Sequence, residues 1–204
     1  RLTEIPKGVF ELKKLEVLML KRNQIKTIST KISKLDSLKI LDLDGNNLQE
    51  LPGAICELRN LETLIIWANS LESLPQDINK LIKLKRLNLF DNKLTFLPDT
   101  ICDLYELKEL ELKGNPITKL PDNIGNLVNL ENIRIEGTPL ESLPKSFGNL
   151  KKIKHLDISS CKFKTFPEEI TELVNLVQLE LNFLKGILEL PDSIGNLKML
   201  KIFR

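Results

Sequence analysis

The feature that most constrains the fold of this 204-residue chain is an internal period of 23 residues. Three registers of apolar residues keep this period. They are Leu15, Leu38, Leu61, Leu84, Leu107, Leu130, Ile153 and Leu176; then Leu18, Leu41, Leu64, Leu87, Leu110, Ile133, Leu156 and Leu179; and Leu20, Leu43, Ile66, Leu89, Leu112, Ile135, Ile158 and Leu181. Because one short unit cannot bury its own apolar face, neighbouring units must stack. The period therefore predicts a solenoid.

Two further columns complete the repeating unit. One contains Asn23, Asn46, Asn69, Asn92 and Asn115, and the other contains Pro52, Pro75, Pro98, Pro121, Pro144 and Pro167. The unit L-x-x-L-x-L-x-x-N-x-L-x-x-L-P-x-x-I-x-x-L-x-x resembles a leucine-rich repeat over the whole chain. Its L-P-x-x-I-x-x-L half is similar to the Ras-group and leptospiral classes, and I-G-N-L at 124–127 and 194–197 is similar to bacterial members.

The spacing within the unit indicates its local structure. The L-x-L segment alternates apolar and polar residues, which is typical of a strand with one buried face. The I-x-x-L segment has helical or 3₁₀ spacing, and Pro can begin it because it needs no donor there. The resemblance implies an α/β repeat fold, a right-handed solenoid with a parallel concave β-sheet and short helical or 3₁₀ convex segments. We expect residues 1–204 to form a single solenoid of eight full strand motifs, with partial repeats at both ends.

The asparagine column predicts a hydrogen-bonded tie in each turn. A side-chain amide can both donate to and accept from backbone groups that water cannot reach. Thr138 and Cys161 replace asparagine in the sixth and seventh repeats. The eighth repeat has one extra residue between Leu181 and Pro191, which predicts a bulge beside Gly186.

Charge and hydropathy exclude several classes of protein. The net charge is +2, from 30 basic and 28 acidic residues without a basic block, so a nucleic-acid partner is not expected. No apolar run approaches the roughly 18 residues of a membrane span, so membrane insertion is not expected. Cys56 and Cys102 lie two repeats, about 10 Å, apart, which is too far for a disulfide. With Cys161, they are interpreted as buried or half-buried thiols.

Catalysis is not indicated by any motif. His155 is the only histidine, and the phosphate-loop and nucleophile-elbow signatures are absent. Several carboxylates share one strand face, namely Glu109, Glu111, Glu136, Asp157 and Glu180. We interpret them as a charged, solvated surface without a raised pKa. The sequence thus predicts a protein that is not an enzyme, without catalytic residues, cofactors or metal ligands.

The columns that flank the buried leucines predict the binding surface, because the resemblance implies that they form the concave face. Repeats two to four place Trp67, the only tryptophan, and Phe90 in these columns. Aromatic groups among charges are typical of a binding hot spot. The candidate partner-binding residues are Ile40, Asp42, Asp44, Ile65, Trp67, Arg86 and Phe90. An alternative is that Trp67 and Phe90 stack across adjacent strands and stabilise the sheet.

Three hypotheses of function follow. The first is a non-catalytic module that binds a protein partner on its concave face, in a bacterial protein that is secreted or exposed on the cell surface. The second is end-to-end self-association through open repeat ends. The third is the substrate-recognition arm of a larger enzyme or effector, or an intracellular scaffold. In repeats five to eight, the mostly acidic stripe could in addition steer a basic partner.

Overall fold

Nine short parallel strands form one open sheet in the computed structural model, which describes residues 1–187 and 189–204. The strands are β1 (Val17–Met19), β2 (Ile40–Asp42), β3 (Thr63–Ile65), β4 (Arg86–Asn88), β5 (Glu109–Glu111), β6 (Asn132–Arg134), β7 (His155–Asp157), β8 (Gln178–Glu180) and β9 (Ile202–Phe203). Each strand pairs with its neighbours in sequence, and partners such as Leu41 and Leu64 lie one period apart. The predicted stacking of repeats is confirmed.

The return segments are 3₁₀ helices. They span Lys7–Glu11, Thr30–Lys34, Gly53–Glu57, Ile78–Lys80, Asp99–Asp103, Ile124–Asn126, Lys145–Asn149, Glu168–Glu172 and Asp192–Asn196. Several start directly after a proline, as at Pro52 (φ −65°) and Pro98 (φ −65°). The fixed φ of proline suits this position, and its missing N–H is not needed there. Alternation of strands with these helices produces the solenoid that the period predicts, with the parallel sheet and 3₁₀ segments that the resemblance implies.

The core is one continuous column of leucine and isoleucine between the sheet and the 3₁₀ helices. Leu41, Leu64 and Leu87, from three successive strands, are all fully buried. Each buried leucine contributes roughly 1.5–3 kcal/mol before the loss of chain entropy is subtracted. Stacking of repeats is therefore the main source of stability.

The asparagine column ties successive repeats together. The side chain of Asn46 donates to the carbonyl oxygens of Leu20 and Leu43, each at 2.9 Å. Its Oδ1 accepts from the Ile25 N–H at 3.0 Å. One amide thus satisfies backbone groups of two repeats, as predicted.

The replacements in this column form a different contact. The Thr138 hydroxyl donates to the Ile135 carbonyl at 2.6 Å, and the Cys161 thiol lies 3.3 Å from the same oxygen. Threonine and cysteine lack the second polar group of an amide. The tie between the sixth and seventh repeats is consequently weaker than in the asparagine turns.

A column of left-handed residues lies one position before the asparagine column. Its members have φ between 50° and 71° and are Arg22, Gly45, Ala68, Asp91, Gly114, Gly137, Ser160 and Phe183. Five of the eight are not glycine, and the pattern was therefore not recognised in the sequence. The strained residue Phe183 is also 83% exposed.

The eighth turn accommodates the extra residue, since Gln178 pairs with Ile202, one residue beyond the usual period. A Cβ atom on Gly186 would lie 2.3 Å from the carbonyl oxygen of Phe163, so only glycine fits there. The predicted bulge also includes Leu188, which lies outside the described residues.

Candidate functional site

In the three-residue strands β1 to β8, the concave face carries the two flanking residues, because the middle residue points into the core. In β4, for example, Leu87 is buried, whereas Arg86 is exposed and Asn88 is half-buried. A cavity of about 700 Å³ lies on this face between Ile65 and Glu180. The predicted concave columns are therefore accessible to a partner.

Trp67 and Phe90 form an aromatic platform at the edge of this face. Their ring centroids lie 5.5 Å apart with an interplanar angle of 25°. The ammonium group of Lys113 lies 5.7 Å from the centroid of the Phe90 ring. Trp67 remains 36% exposed, and Phe90 is half-buried. The rings thus stack on each other and still present an apolar surface to solvent.

The other apolar and basic candidates lie on the same face. Ile65 and Arg86 both line the cavity. Arg86 donates to the Glu109 carboxylate at 2.9 Å across the β4–β5 pair, and this bond raises the pKa of the guanidinium. Ile40 is half-buried and pairs with Thr63 in the register. The structure therefore brings Ile65 and Arg86 to one cavity, with the aromatic platform beside it.

Asp42 and Asp44 differ from the sequence-based expectation that they are exposed. They are only 1% and 7% exposed, respectively. One carboxylate oxygen of Asp42 accepts from the Asp44 N–H at 3.1 Å, and the other lies 3.0 Å from the Lys21 ammonium. Short polar side chains often bond to the backbone two residues ahead, and this draws them out of solvent. The prediction of exposed aspartates here was wrong.

The lining of the cavity is acidic overall. Four carboxylates line it, from Glu109, Glu111, Asp157 and Glu180, against the two guanidinium groups of Arg86 and Arg134. The charges of these side chains sum to −2, whereas the whole chain carries +2. With its carboxylates ionised, the lining of this cavity therefore has the opposite sign to the protein as a whole.

Glu111 and Glu136 are the least solvated acids of this region. Their side chains are 19% and 12% exposed, and Glu111 Oε1 and Glu136 Oε2 are buried without a hydrogen-bond partner. Burial, followed by the neighbouring charge of Glu136, raises the pKa of Glu111 to about 7. The interpretation of this stripe as ordinary solvated carboxylates was wrong for this pair. The sequence places the two acids in different columns, so their proximity was not recognised.

A smaller cavity of about 340 Å³ lies on the rim between Phe90 and Phe183. Its wall includes Gly114 and Gly137, two of the left-handed residues, which have no side chains to fill it. Glu136 also lines this cavity, and Asp157 lines both cavities. The rim and the concave face thus form adjoining surfaces around the acidic pair.

The three cysteines are buried and free, as predicted. Burial raises the pKa of each thiol to about 11. His155 is an exposed strand residue. Among residues 1–187 and 189–204, the acids, cysteines and histidine form no group of three or more that could hold a metal ion. No helix in the same ranges is long and apolar enough to cross a membrane.

Family models match almost the whole chain. A model described as "Leucine-rich repeat region" matches residues 30–113 and 95–204, and one described as "Leucine rich repeat" matches residues 1–48. A comparison with curated protein sequences gave no match.

Solved structures of similar proteins agree with the family models. A leucine-rich-repeat protein of Leptospira interrogans is 32% identical with a TM-score of 0.78, over 97% of this chain and 56% of that one. The plant peptide hormone receptor RGFR1 in complex with RGF2 is 35% identical with a TM-score of 0.83, over 95% of this chain and 33% of the receptor. The leucine-rich repeat domain of the type III effector XopL is 27% identical with a TM-score of 0.88, over 99% of this chain and 72% of that domain. The chain thus spans about half of the leptospiral protein and a third of the plant receptor.

Proposed function

This chain belongs to the leucine-rich-repeat family, and we propose that it is a non-catalytic module that binds a protein partner on its concave face. Leucine-rich-repeat domains are in general protein-interaction modules, and solenoids offer extended concave surfaces for this purpose. The observation that carries the proposal is the aromatic platform of Trp67 and Phe90. A soluble domain gains little from leaving such rings partly in water unless a partner covers them.

The proposed binding residues have different roles. Ile65, Trp67 and Phe90 supply apolar contact area, and Ile40 extends it towards β2. Arg86 supplies a polar contact at the start of the cavity. In this proposal the buried carboxylates contribute indirectly. Asp42 and Asp44 hold the end of β2 and the turn that follows it.

The similar structures support an interaction role. The receptor RGFR1 was solved in complex with RGF2, and XopL is a type III effector. A bacterial, secreted or surface-exposed setting is part of the proposal, and the similarity to the leptospiral protein, of which the chain spans 56%, supports the bacterial part. A second candidate is the substrate-recognition arm of a larger effector, which the likeness to the XopL domain favours. In either case these repeats would bind and would not catalyse.

Comparison of two double variants tests the site. Wild-type protein, Trp67→Ala/Phe90→Ala and the control Phe96→Ala/Tyr105→Ala are immobilised, and partners are captured from extracts and identified by mass spectrometry. The control also removes two exposed aromatic side chains, which lie outside the concave cavity. Partners captured by wild type and by the control, but not by the platform variant, would support the proposal.

Equal capture by all three proteins would contradict the proposed site. The aromatic pair would then serve only to stabilise the sheet. Circular dichroism of each variant establishes that it is folded before its binding is compared.

A further inference from the structure

The pair Glu111 and Glu136 lies where the large concave cavity adjoins the rim cavity, and each side chain has one buried oxygen without a hydrogen bond among the described residues. Glu111 ends β5, and Glu136 follows β6 by two residues. One oxygen of each acid faces a cation: Arg134 Nε lies 3.6 Å from Glu111, and Lys113 Nζ lies 3.3 Å from Glu136. The other oxygens, Glu111 Oε1 and Glu136 Oε2, accept no hydrogen bond from the part of the chain that the structure describes.

The negative charge of this pair is not fully balanced by the residues around it. Two carboxylates at close range repel each other, and a buried oxygen without a donor loses its hydration without compensation. The existing cations do not remove this cost, because the side chains of Lys113 and Arg134 are 45% and 65% exposed and their contacts are long. A cation from outside the chain that lies against the exposed part of the pair would offset its negative charge.

The surroundings determine which donor fits. Glu111 and Asp157 line the large cavity, Glu136 and Asp157 line the rim cavity, and the large cavity has a side-chain charge of −2. A positively charged group is complementary to this surface, whereas an anion would be repelled. Both cavities are open to solvent, because no segment of the described residues covers this face of the sheet.

We propose that the partner inserts a basic side chain, an ammonium or a guanidinium, against the carboxylates of Glu111 and Glu136. The inference rests on the proposed function and names the chemistry of the partner. The occupant is an extended segment of a protein whose apolar residue covers the platform of Trp67 and Phe90. Glu111 lies one repeat, about 5 Å, beyond the strand of Phe90, and Glu136 lies two repeats, about 10 Å, beyond Phe90. Since an extended chain advances about 3.3 Å per residue, the basic residue follows the apolar one by about three positions.

Binding of this cation depends on pH in a defined direction. The groups that face Glu111 are Glu136, Arg134 and Lys113, and the same cavity contains Asp157 and His155. Because the pKa of Glu111 is raised to about 7, the cation must displace a proton below that pH. The affinity therefore rises as the pH increases from 6 to 8. Imidazole side chains in general change charge in this pH interval. A His155→Gln variant therefore separates the contribution of Glu111 to the pH dependence of the affinity from that of the histidine.

The experiment uses a short Gly/Ser peptide with one phenylalanine and, about three residues later, one arginine. A second peptide of the same length carries neutral citrulline in place of arginine. Nuclear magnetic resonance titration of the folded protein measures the affinity for each. We expect the arginine peptide to shift resonances of β4 to β6, and to bind about tenfold more tightly than the citrulline peptide.

The matched variants are Glu111→Gln/Glu136→Gln and Glu16→Gln/Glu62→Gln. Each removes two negative charges, but Glu16 and Glu62 form ion pairs with Lys39 and Lys85 outside the cavity. The proposal requires loss of arginine-dependent affinity and of the pH dependence in the first variant only. Equal affinity for both peptides, equal losses in both variants, or no shift at millimolar peptide would overturn it.

The two proposals can fail separately. If natural partners depend on Trp67 and Phe90 but bind the Glu111→Gln/Glu136→Gln variant normally, the basic side chain is wrong and the proposed function stands. If capture of partners is independent of Trp67 and Phe90 while the arginine peptide still binds at the acidic pair, the platform site is wrong and the cation site stands.

Discussion

A Cβ atom on Gly125 would lie only 1.9 Å from the carbonyl oxygen of Ser146 in the next repeat. The Gly125 N–H also donates to the Ser146 hydroxyl at 3.1 Å. Here the 3₁₀ helices of two repeats approach so closely that no side chain fits between them. The glycine of this I-G-N-L segment therefore permits the close packing of the convex side.

The Gly125→Ala substitution should lower the free energy of unfolding by about 1–3 kcal/mol, because the two helices must separate to admit a methyl group. Gly195→Ala is the matched control. It alters the same position of the second I-G-N-L segment, where a Cβ atom would meet nothing within 4 Å. Urea denaturation of both variants measures the difference. Equal effects would show that the close approach at Gly125 is not limiting.

The asparagine ties predict a second stability difference. Asn115 is 2% exposed and donates to the carbonyls of Leu89 and Leu112 at 2.8 and 2.9 Å. Replacement by alanine leaves these groups unpaired and should cost about 1–3 kcal/mol. Asn175→Ala removes one exposed bond to Lys151 and should cost much less. Thermal unfolding, followed by circular dichroism, compares the stability of the two variants. Similar losses of stability would argue against the asparagine column as a major source of stability.

The aromatic platform should contribute little to folding. Stacking of Trp67 on Phe90 is worth about 0.5–1.5 kcal/mol beyond area burial. A double-mutant cycle with Trp67→Ala, Phe90→Ala and the double variant measures this coupling from unfolding free energies. A coupling of several kcal/mol would instead identify the pair as mainly structural.

The acidic pair predicts an unusual pH dependence of stability. Because the pKa of Glu111 is raised from 4.5 to about 7, the folded protein binds more protons here than the unfolded chain between these values. The stability contributed by the neutral carboxyl is complete below pH 4.5 and is lost as the pH rises through 7. Glu111→Gln should therefore unfold like wild type at pH 4.5 and be more stable, by up to about 3 kcal/mol, at pH 8.

Chemical denaturation at several pH values, with Glu50→Gln as an exposed control, measures this difference. The comparison with wild type also cancels the opposite effect of acids such as Glu11, whose pKa is lowered by its bond to Lys34. A difference between Glu111→Gln and wild type that does not change with pH would show that Glu111 titrates normally.

The period alone determined most of the architecture. Residues such as Leu41 and Leu64 occupy the same register of successive units, and each unit contacts mainly its neighbours. Strand positions, buried columns, the asparagine ties and the concave columns all follow from this one-dimensional arrangement. The period also predicts that Trp67 can stack on Phe90, because residues one period apart lie side by side on adjacent strands.

The tertiary structure decided what the period does not specify, namely how side chains of different columns meet. Asp42 is buried because its carboxylate turns back to the Asp44 N–H and towards Lys21. Glu111 has a raised pKa because burial and Glu136, from another repeat and another column, act on it together. The solvation and the pKa of a side chain depend on its distances to other groups in three dimensions. These distances cannot be read from the position of the residue within the repeat.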